Sequence, residues 1–410
     1  ENLPGIAQSL VLEEAQAHGI PVVPQGARTS LTGASCATEG AIVLNVEALR
    51  GIDIDPVEGH ARVGPGVVNA DLKAAVREAG LFYPPDPASA DTCTIGGNVA
   101  TNAGGLCCIK YGVTADYVKS LEIVLPGGEQ IRTGKRTAKS TAGYDLTGLF
   151  VGSEGTLGVV TSALVRLIPA PDLALTALAT FDSLDEAARA VLALRADRHR
   201  PALLEFLDRA SIAAIQAMND FGFPSGCEAA LLVQSDRPGH AAEDVERYAA
   251  TLADLGAAEI AVADNAAEAE LLMKGRRMLN YALEAKGGRL AEDACVPVAR
   301  LGDFVRIGQE ISERTCVEIT LSGHGGDGNL HPSLFFEHGD VDGWHRAEAA
   351  LEEMLRAALD LGGTITGEHG VGVQKRRFLE WELGAAEVAR QRAVKALFDP
   401  SGIMNPGKVY

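Results

Sequence analysis

The sequence predicts an α+β fold built as two domains and a short C-terminal segment, on three observations. The chain has 410 residues, too many for one ordinary hydrophobic core. Residues 1–170 mix short strand patterns with Gly-rich loops, and Pro169-Ala170-Pro171 marks a break. From Leu173 the pattern becomes a regular strand–helix alternation, close to a ferredoxin-like unit.

In the first domain, 5–18 carry a helical pattern closed by Gly19, and 21–23 and 41–46 read as strands. Residues 51–55 and 60–63 read as a strand pair and 67–79 as a helix. Strand patterns at 121–125 and 130–133 flank Gly127-Gly128, a hairpin signal. Residues 159–168 form the last strand of this domain. In the second, strands at 176–181, 202–207, 229–234 and 257–262 alternate with helices at 183–196, 208–219 and 239–254. A long helical pattern covers 264–285, and a helix over 384–397 precedes a Pro/Gly tail. The expected divisions are 1–170, 171–383 and 384–410.

Composition narrows the function. The net charge of -19 weighs against sequence-independent nucleic-acid binding, which needs a basic surface. An anionic substrate stays open, because a local basic pocket can hold one. The seven Cys are scattered without a C-x-x-C pair. They read as reduced core thiols, with adjacent Cys107-Cys108 as the alternative redox or metal pair. No apolar run reaches the roughly 18 residues of a membrane span, and no signal peptide is visible. The chain begins at Glu1 rather than Met, so a truncated N-terminus is expected.

Glycine is the outlier: 46 residues against about 29 at an average usage of roughly 7%. The excess gathers in a few loops, which makes them the first candidates for a site. Three lie in the first domain: Pro24–Ala34, Pro84–Pro87 with Thr94–Gly105, and Gly152–Gly158. Glycines let the backbone approach a ligand, successive N–H groups form anion-binding nests, and Ser and Thr hydroxyls add donors. The combination suits a pyrophosphate. None is a G-x-G-x-x-G loop opening a Rossmann helix, and none is a P-loop.

A second Gly-rich set carries different chemistry. Ser322–His331 holds two of the nine His residues, seven apart, and Thr366–Gly372 adds Glu368 and His369. Two His and one Glu make a common first-row metal shell that leaves positions open for substrate.

Together these stretches resemble the FAD-linked oxidases of the vanillyl-alcohol oxidase/p-cresol methylhydroxylase superfamily. The nearest branch holds D-lactate dehydrogenases, glycolate oxidase flavin subunits and D-2-hydroxyglutarate dehydrogenases. The resemblance runs over essentially the whole chain, including the closing Phe398–Lys408 stretch. It implies a PCMH-type FAD-binding domain, a ferredoxin-like cap domain and a C-terminal segment that returns to the flavin.

The resemblance also implies roles. Pro24, Gly26, Arg28, Thr29, Ser30 and Thr32 would serve the pyrophosphate. Pro85, Asp86, Gly96, Gly97, Asn98, Thr101, Gly104 and Gly105 would line the flavin and ribityl chain. Glu154, Gly155, Gly158 and Val160 would lie near the adenine, and Asn405 near the isoalloxazine edge. Some relatives attach the flavin through a His in the first loop. Residues 24–35 contain none, so noncovalent FAD is expected.

His324, His331 and Glu368 would ligate one divalent metal, Zn²⁺ or alternatively Mn²⁺ or Fe²⁺. His369 would be the general base, a role to which an imidazole is chemically suited. Arg276 would clamp the substrate carboxylate, preferred over Arg277, and Asn329 would add a hydrogen bond. Relatives acting on a five-carbon diacid carry a Thr and a Lys where this chain has Asn280 and Ala291.

The implied activity is oxidation of a small D-2-hydroxy acid such as D-lactate to the 2-oxo acid. The proton would leave a metal-bound hydroxyl and the hydride would pass to flavin N5. The alternatives are a glycolate oxidase flavin subunit working in a complex, a D-2-hydroxyglutarate-type dehydrogenase, and an inactive flavin-binding scaffold. Electrons would leave to a quinone, a cytochrome, an electron-transfer flavoprotein or an iron–sulfur subunit. A homodimer and a cytoplasmic location, peripheral at the membrane through the acceptor, complete the expectation.

Overall fold

The computed structural model describes residues 5–219 and 221–410. The chain divides into two compact units. One holds residues up to Gly105, Gly112–Ala170 and Glu368–Tyr410; the other holds Leu106–Tyr111 and Pro171–Gly367. Residues 368–383, grouped by sequence with the second domain, cluster with the first, and 106–111 cluster with the second. Among the described residues no helix is long and apolar enough to cross a membrane.

The first unit is built on a five-stranded antiparallel sheet. Its order is Ile52–Asp55, His60–Val63, Val159–Arg166, Val118–Val124, Gln130–Gly134. Period-2 alternation sends Leu121, Ile123, Ala163 and Val165 to one side. Leu72 and Val76 of helix Asn69–Glu78 and Ile95 and Val99 of helix Ile95–Thr101 cover them. Full burial of one such side chain stabilises by about 1.5–3 kcal/mol, so this face anchors the helices. Helix Ile6–His18 ends at Gly19, whose φ of 62° places it in the left-handed region a C-cap needs. Val22–Gln25 and Ile42–Asn45 form a separate parallel pair.

Two short helices escape the sequence pattern. Ile95–Thr101 reads I-G-G-N-V-A-T, poor in helix formers, yet Thr94 Oγ1 accepts the Gly97 N–H at 3.4 Å and packing overrides propensity. Leu146–Phe150 is started the same way by Asp145, which accepts the Gly148 N–H at 3.0 Å.

The second unit carries an eight-stranded antiparallel sheet. The order is Glu259–Val262, Leu175–Phe181, Ala229–Ser235, Leu203–Asp208, Ile319–His324, Asn329–Phe336, Gly288–Ala291. Ala294–Cys295 also pairs with Asn329–Phe336. The first four strands, taken in chain order, lie 4-1-3-2 across the sheet, the arrangement of a ferredoxin-like unit. The remaining strands extend that sheet and bring the second Gly-rich cluster onto it. The C-terminal helical stretch Leu379–Phe398 is broken at Gly384, whose φ of 74° is non-helical. Cys93 and Cys227 are core thiols as expected, but Cys36 and Cys316 are exposed.

Candidate active site

In the first unit the three Gly-rich loops meet. Pro24 lies against Gly155, where a Cβ would come within 3.2 Å of its Cγ. Gly26 packs on the Thr94 hydroxyl, leaving no room for a Cβ. The third loop is tied to the second through Gly152 N–H to Val99 O at 2.9 Å and Glu154 N–H to Ala100 O at 2.8 Å.

The loop residues divide by what their side chains touch. Asn98 is buried and holds Asn69 and Cys93, Thr101 bonds the Gly97 carbonyl at 3.1 Å, and Asp86 pairs with Lys73. Asn69 also donates to Pro85 O. Gly96 packs on Pro65, Gly105 on the Asp86 carbonyl, and Gly158 on Ile123. Those three glycines therefore serve backbone packing. Val160 sits in strand Val159–Arg166, and Gly104 is buried. Arg28 has a φ of 61° beside Thr29 and Ser30.

The Glu154 carboxylate is held by backbone of the C-terminal segment. It accepts the N–H groups of Val371 at 2.8 Å and Gly372 at 2.9 Å, while burial pushes its pKa up despite those bonds. Asn405 Nδ2 donates to Ala34 O at 3.0 Å and Glu154 O at 2.7 Å. Thr32 donates to the His369 carbonyl at 3.3 Å. The C-terminal segment is thus fastened to the loops inside one unit. Two buried oxygens, Ser30 Oγ and Asn405 Oδ1, have no partner among the described residues. Buried polar atoms are seldom left so, and a polar cofactor on these loops would satisfy them. The residues therefore fit FAD.

In the second unit, His324 ends strand Ile319–His324, and His331 lies on the next strand, opposite Ser322. Their Nε2 atoms are 3.5 Å apart and their rings cross at 86°. Two nitrogens bound to one Zn²⁺ at 2.0–2.1 Å with a tetrahedral angle stand about 3.3 Å apart, so the pair fits one ion. Gly323, with φ 149°, packs against His331, where a Cβ would lie 2.9 Å from its Cδ2.

Glu205 completes this arrangement, and sequence reasoning missed it. It sits inside the fully buried strand Leu203–Asp208. Its Oε1 lies 2.6 Å from His324 Nδ1, and its Oε2 accepts Arg276 Nε at 2.6 Å. Burial pushes the Glu205 carboxyl up, but His324 and Arg276 outweigh it and hold it at about 2. A carboxylate within an apolar strand, which must be paired, was the available signal.

Arg276 lies on helix Ala266–Glu284 with 12% of its side chain exposed. Arg277 points outward, 47% exposed, and pairs with Glu270. Asn329 is buried, its Oδ1 has no partner among the described residues, and Gly367 packs on its amide. Asp293, fully buried, accepts Gly367 N–H at 2.7 Å and the Thr366 hydroxyl at 3.0 Å. Glu368 follows Gly367 by one peptide bond, where the chain passes into the first unit, and His369 comes next.

Asn280 is exposed. Ala291 pairs with Ser333 and Arg289 with Phe335, so both share the sheet face of His331. Burial holds the Arg289 guanidinium below its ordinary pKa, against the pull of Glu284.

The chain is an FAD-linked oxidoreductase by the families it matches. The FAD binding domain family matches residues 7–134, and the family "FAD linked oxidases, C-terminal domain" matches 170–409. The chain belongs to the FAD-linked oxidase family. It is 43% identical over 405 residues to "Glycolate oxidase subunit GlcD" of Bacillus subtilis (strain 168), covering 98% of this chain and 86% of that one. It is 36% identical over 404 residues to "D-lactate dehydrogenase" of Archaeoglobus fulgidus, covering 98% and 88%. A p-cresol methylhydroxylase crystal structure superposes with a TM-score of 0.79 at 16% identity, covering 98% of this chain and 86% of that one, which shows the shared PCMH-type fold.

Proposed function

We propose that this chain oxidises a small D-2-hydroxy acid such as D-lactate, or alternatively achiral glycolate, to the 2-oxo acid. The observation that carries the reading is the His324–His331 pair, 3.5 Å apart with His324 oriented by Glu205. The names of the relatives support the same substrate class.

Noncovalently bound FAD supplies the two-electron acceptor for the substrate's Cα hydrogen. A bound divalent ion, Zn²⁺ or alternatively Mn²⁺ or Fe²⁺, supplies a Lewis acid that lowers the hydroxyl pKa. His324, His331 and Glu368 hold that ion. Arg276 takes the substrate carboxylate through its two terminal amino groups, and Asn329 donates a hydrogen bond. The 2-hydroxyl proton passes to an imidazole nitrogen of His369. In the first unit Ser30, Arg28 and Thr29 meet the cofactor phosphates, and Asn405 Oδ1 meets the flavin ring. A quinone, cytochrome, electron-transfer flavoprotein or iron–sulfur partner removes the electrons.

One observation favours a second reading, oxidation of a 2-hydroxy diacid. Arg289 is a half-buried cation two residues from Ala291 and on its face of the sheet, and could meet a second carboxylate there. Anaerobic bleaching of the flavin by a panel of D- and L-2-hydroxy acids tests both. Reduction by D-lactate or glycolate is expected. No bleaching by any member would overturn the function, and faster bleaching by D-2-hydroxy diacids would select the second reading.

A further inference from the structure

We infer that Glu205 is a positioning residue that sets the metal ligand His324 and the substrate clamp Arg276 together. The inference rests on the proposed roles of those two residues and assigns one buried carboxylate to both.

Glu205 has no exposed surface and sits among Leu203, Leu204, Phe206 and Leu207. An ionised carboxylate there costs several kcal/mol unless fully paired. Its two oxygens go to two different groups, each at 2.6 Å. Neither bond is redundant.

Each bond has a directional consequence. A carboxylate at His324 Nδ1 holds the proton on that nitrogen and leaves the Nε2 lone pair for a ligand, the side that faces His331. The second oxygen occupies Arg276 Nε. That leaves the edge formed by the two terminal amino groups for a substrate carboxylate, so docking is end-on rather than through Nε. Register explains why this strand position can do both. Phe206 pairs with Gly323 and Leu207 with Ser322, which sets Glu205 opposite His324. Helix Ala266–Glu284 then brings Arg276 to the other oxygen.

The test uses FAD-loaded protein stripped of metal and titrated with Zn²⁺ against a chromophoric chelator. Glu205→Gln is expected to raise the zinc Kd about 10–100-fold, the usual cost of losing such a support. It should raise KM for D-lactate in parallel and leave the flavin content unchanged. Glu205→Asp keeps the charge but is one methylene short, so its zinc Kd should fall between Gln and parent. A purely structural Glu205 would lower thermal stability without moving the zinc Kd. Arg276→Gln, at a partly exposed site, should shift the zinc Kd at least threefold although it touches no metal ligand. A zinc Kd within threefold of parent in folded Glu205→Gln overturns the inference. If that variant does not fold, a zinc Kd within threefold of parent in Arg276→Gln overturns it. A parent protein that binds none of Zn²⁺, Mn²⁺ and Fe²⁺ instead sinks the metal-based functional reading itself.

Discussion

The Nε2 atoms of His324 and His331 stand 3.5 Å apart on adjacent antiparallel strands. A divalent cation between two imidazole nitrogens at that separation would bond to both. A metal is therefore expected at about one ion per chain, and chelation should sharply lower both activity and thermal midpoint. Metal analysis beside a melting curve with and without chelator checks this. Full activity in metal-free protein would remove the metal from the mechanism.

His369 lies next to Glu368, and its carbonyl is held by Thr32. His369→Ala should abolish flavin reduction by D-lactate while FAD and metal stay bound. Stopped-flow reduction with parallel flavin and metal analysis tests it. Near-normal reduction would take the base away from His369.

Arg276 and Arg277 are neighbours with opposite exposures. Arg276→Lys replaces a planar fork by a point charge and should raise KM about 10–100-fold, as expected for a charge-assisted bond worth roughly 1.5–3 kcal/mol. Arg277→Ala should leave KM near parent. Equal effects from the two variants would contradict the assignment of the clamp.

Asn405 links the C-terminal segment to the loops through the carbonyls of Ala34 and Glu154. Asn405→Ala leaves both buried acceptors bare, which should cost about 2–6 kcal/mol at roughly 1–3 each. It should also weaken FAD retention. Chemical denaturation of the apo and FAD-loaded forms separates the two effects.

Asp208 is fully buried, and burial raises its pKa to about 6 in spite of bonds from Ser211 and Leu321. A carboxyl whose folded pKa is raised contributes stability that is present below its unfolded value and lost as pH rises through the folded one. Its contribution therefore declines across roughly pH 4 to 6, by at most about 3 kcal/mol at about 1.4 per unit. Asp208→Asn lacks this titration. The parent-minus-variant stability difference should thus shrink as pH rises through that window, as melts at a series of pH values would show. A difference that stays constant would refute the coupling.

Much of the fold could be read from periodicity. The helix over 5–18, the hairpin at Gly127-Gly128 and the alternation from 176 to 262 depend on local pattern, and strands and helices stand within a few residues of the expected places. The short helices at Ile95–Thr101 and Leu146–Phe150 were not legible, since their caps and packing, not their propensities, form them. The His/Gly clusters were legible because rare residue types in glycine-rich settings stand out.

The glycine loops pointed to a pyrophosphate and the histidine spacing to a metal-type donor set, since both are written in short stretches of chain. Which groups act on which was decided only in three dimensions. Glu154 binds Val371 and Gly372 more than two hundred positions along the chain, so its carboxylate is occupied by protein. Glu205 reaches His324 and Arg276 because antiparallel register and one helix bring them together. A buried charge signals in sequence that it needs partners, but only the packing of distant strands determines which partners it meets.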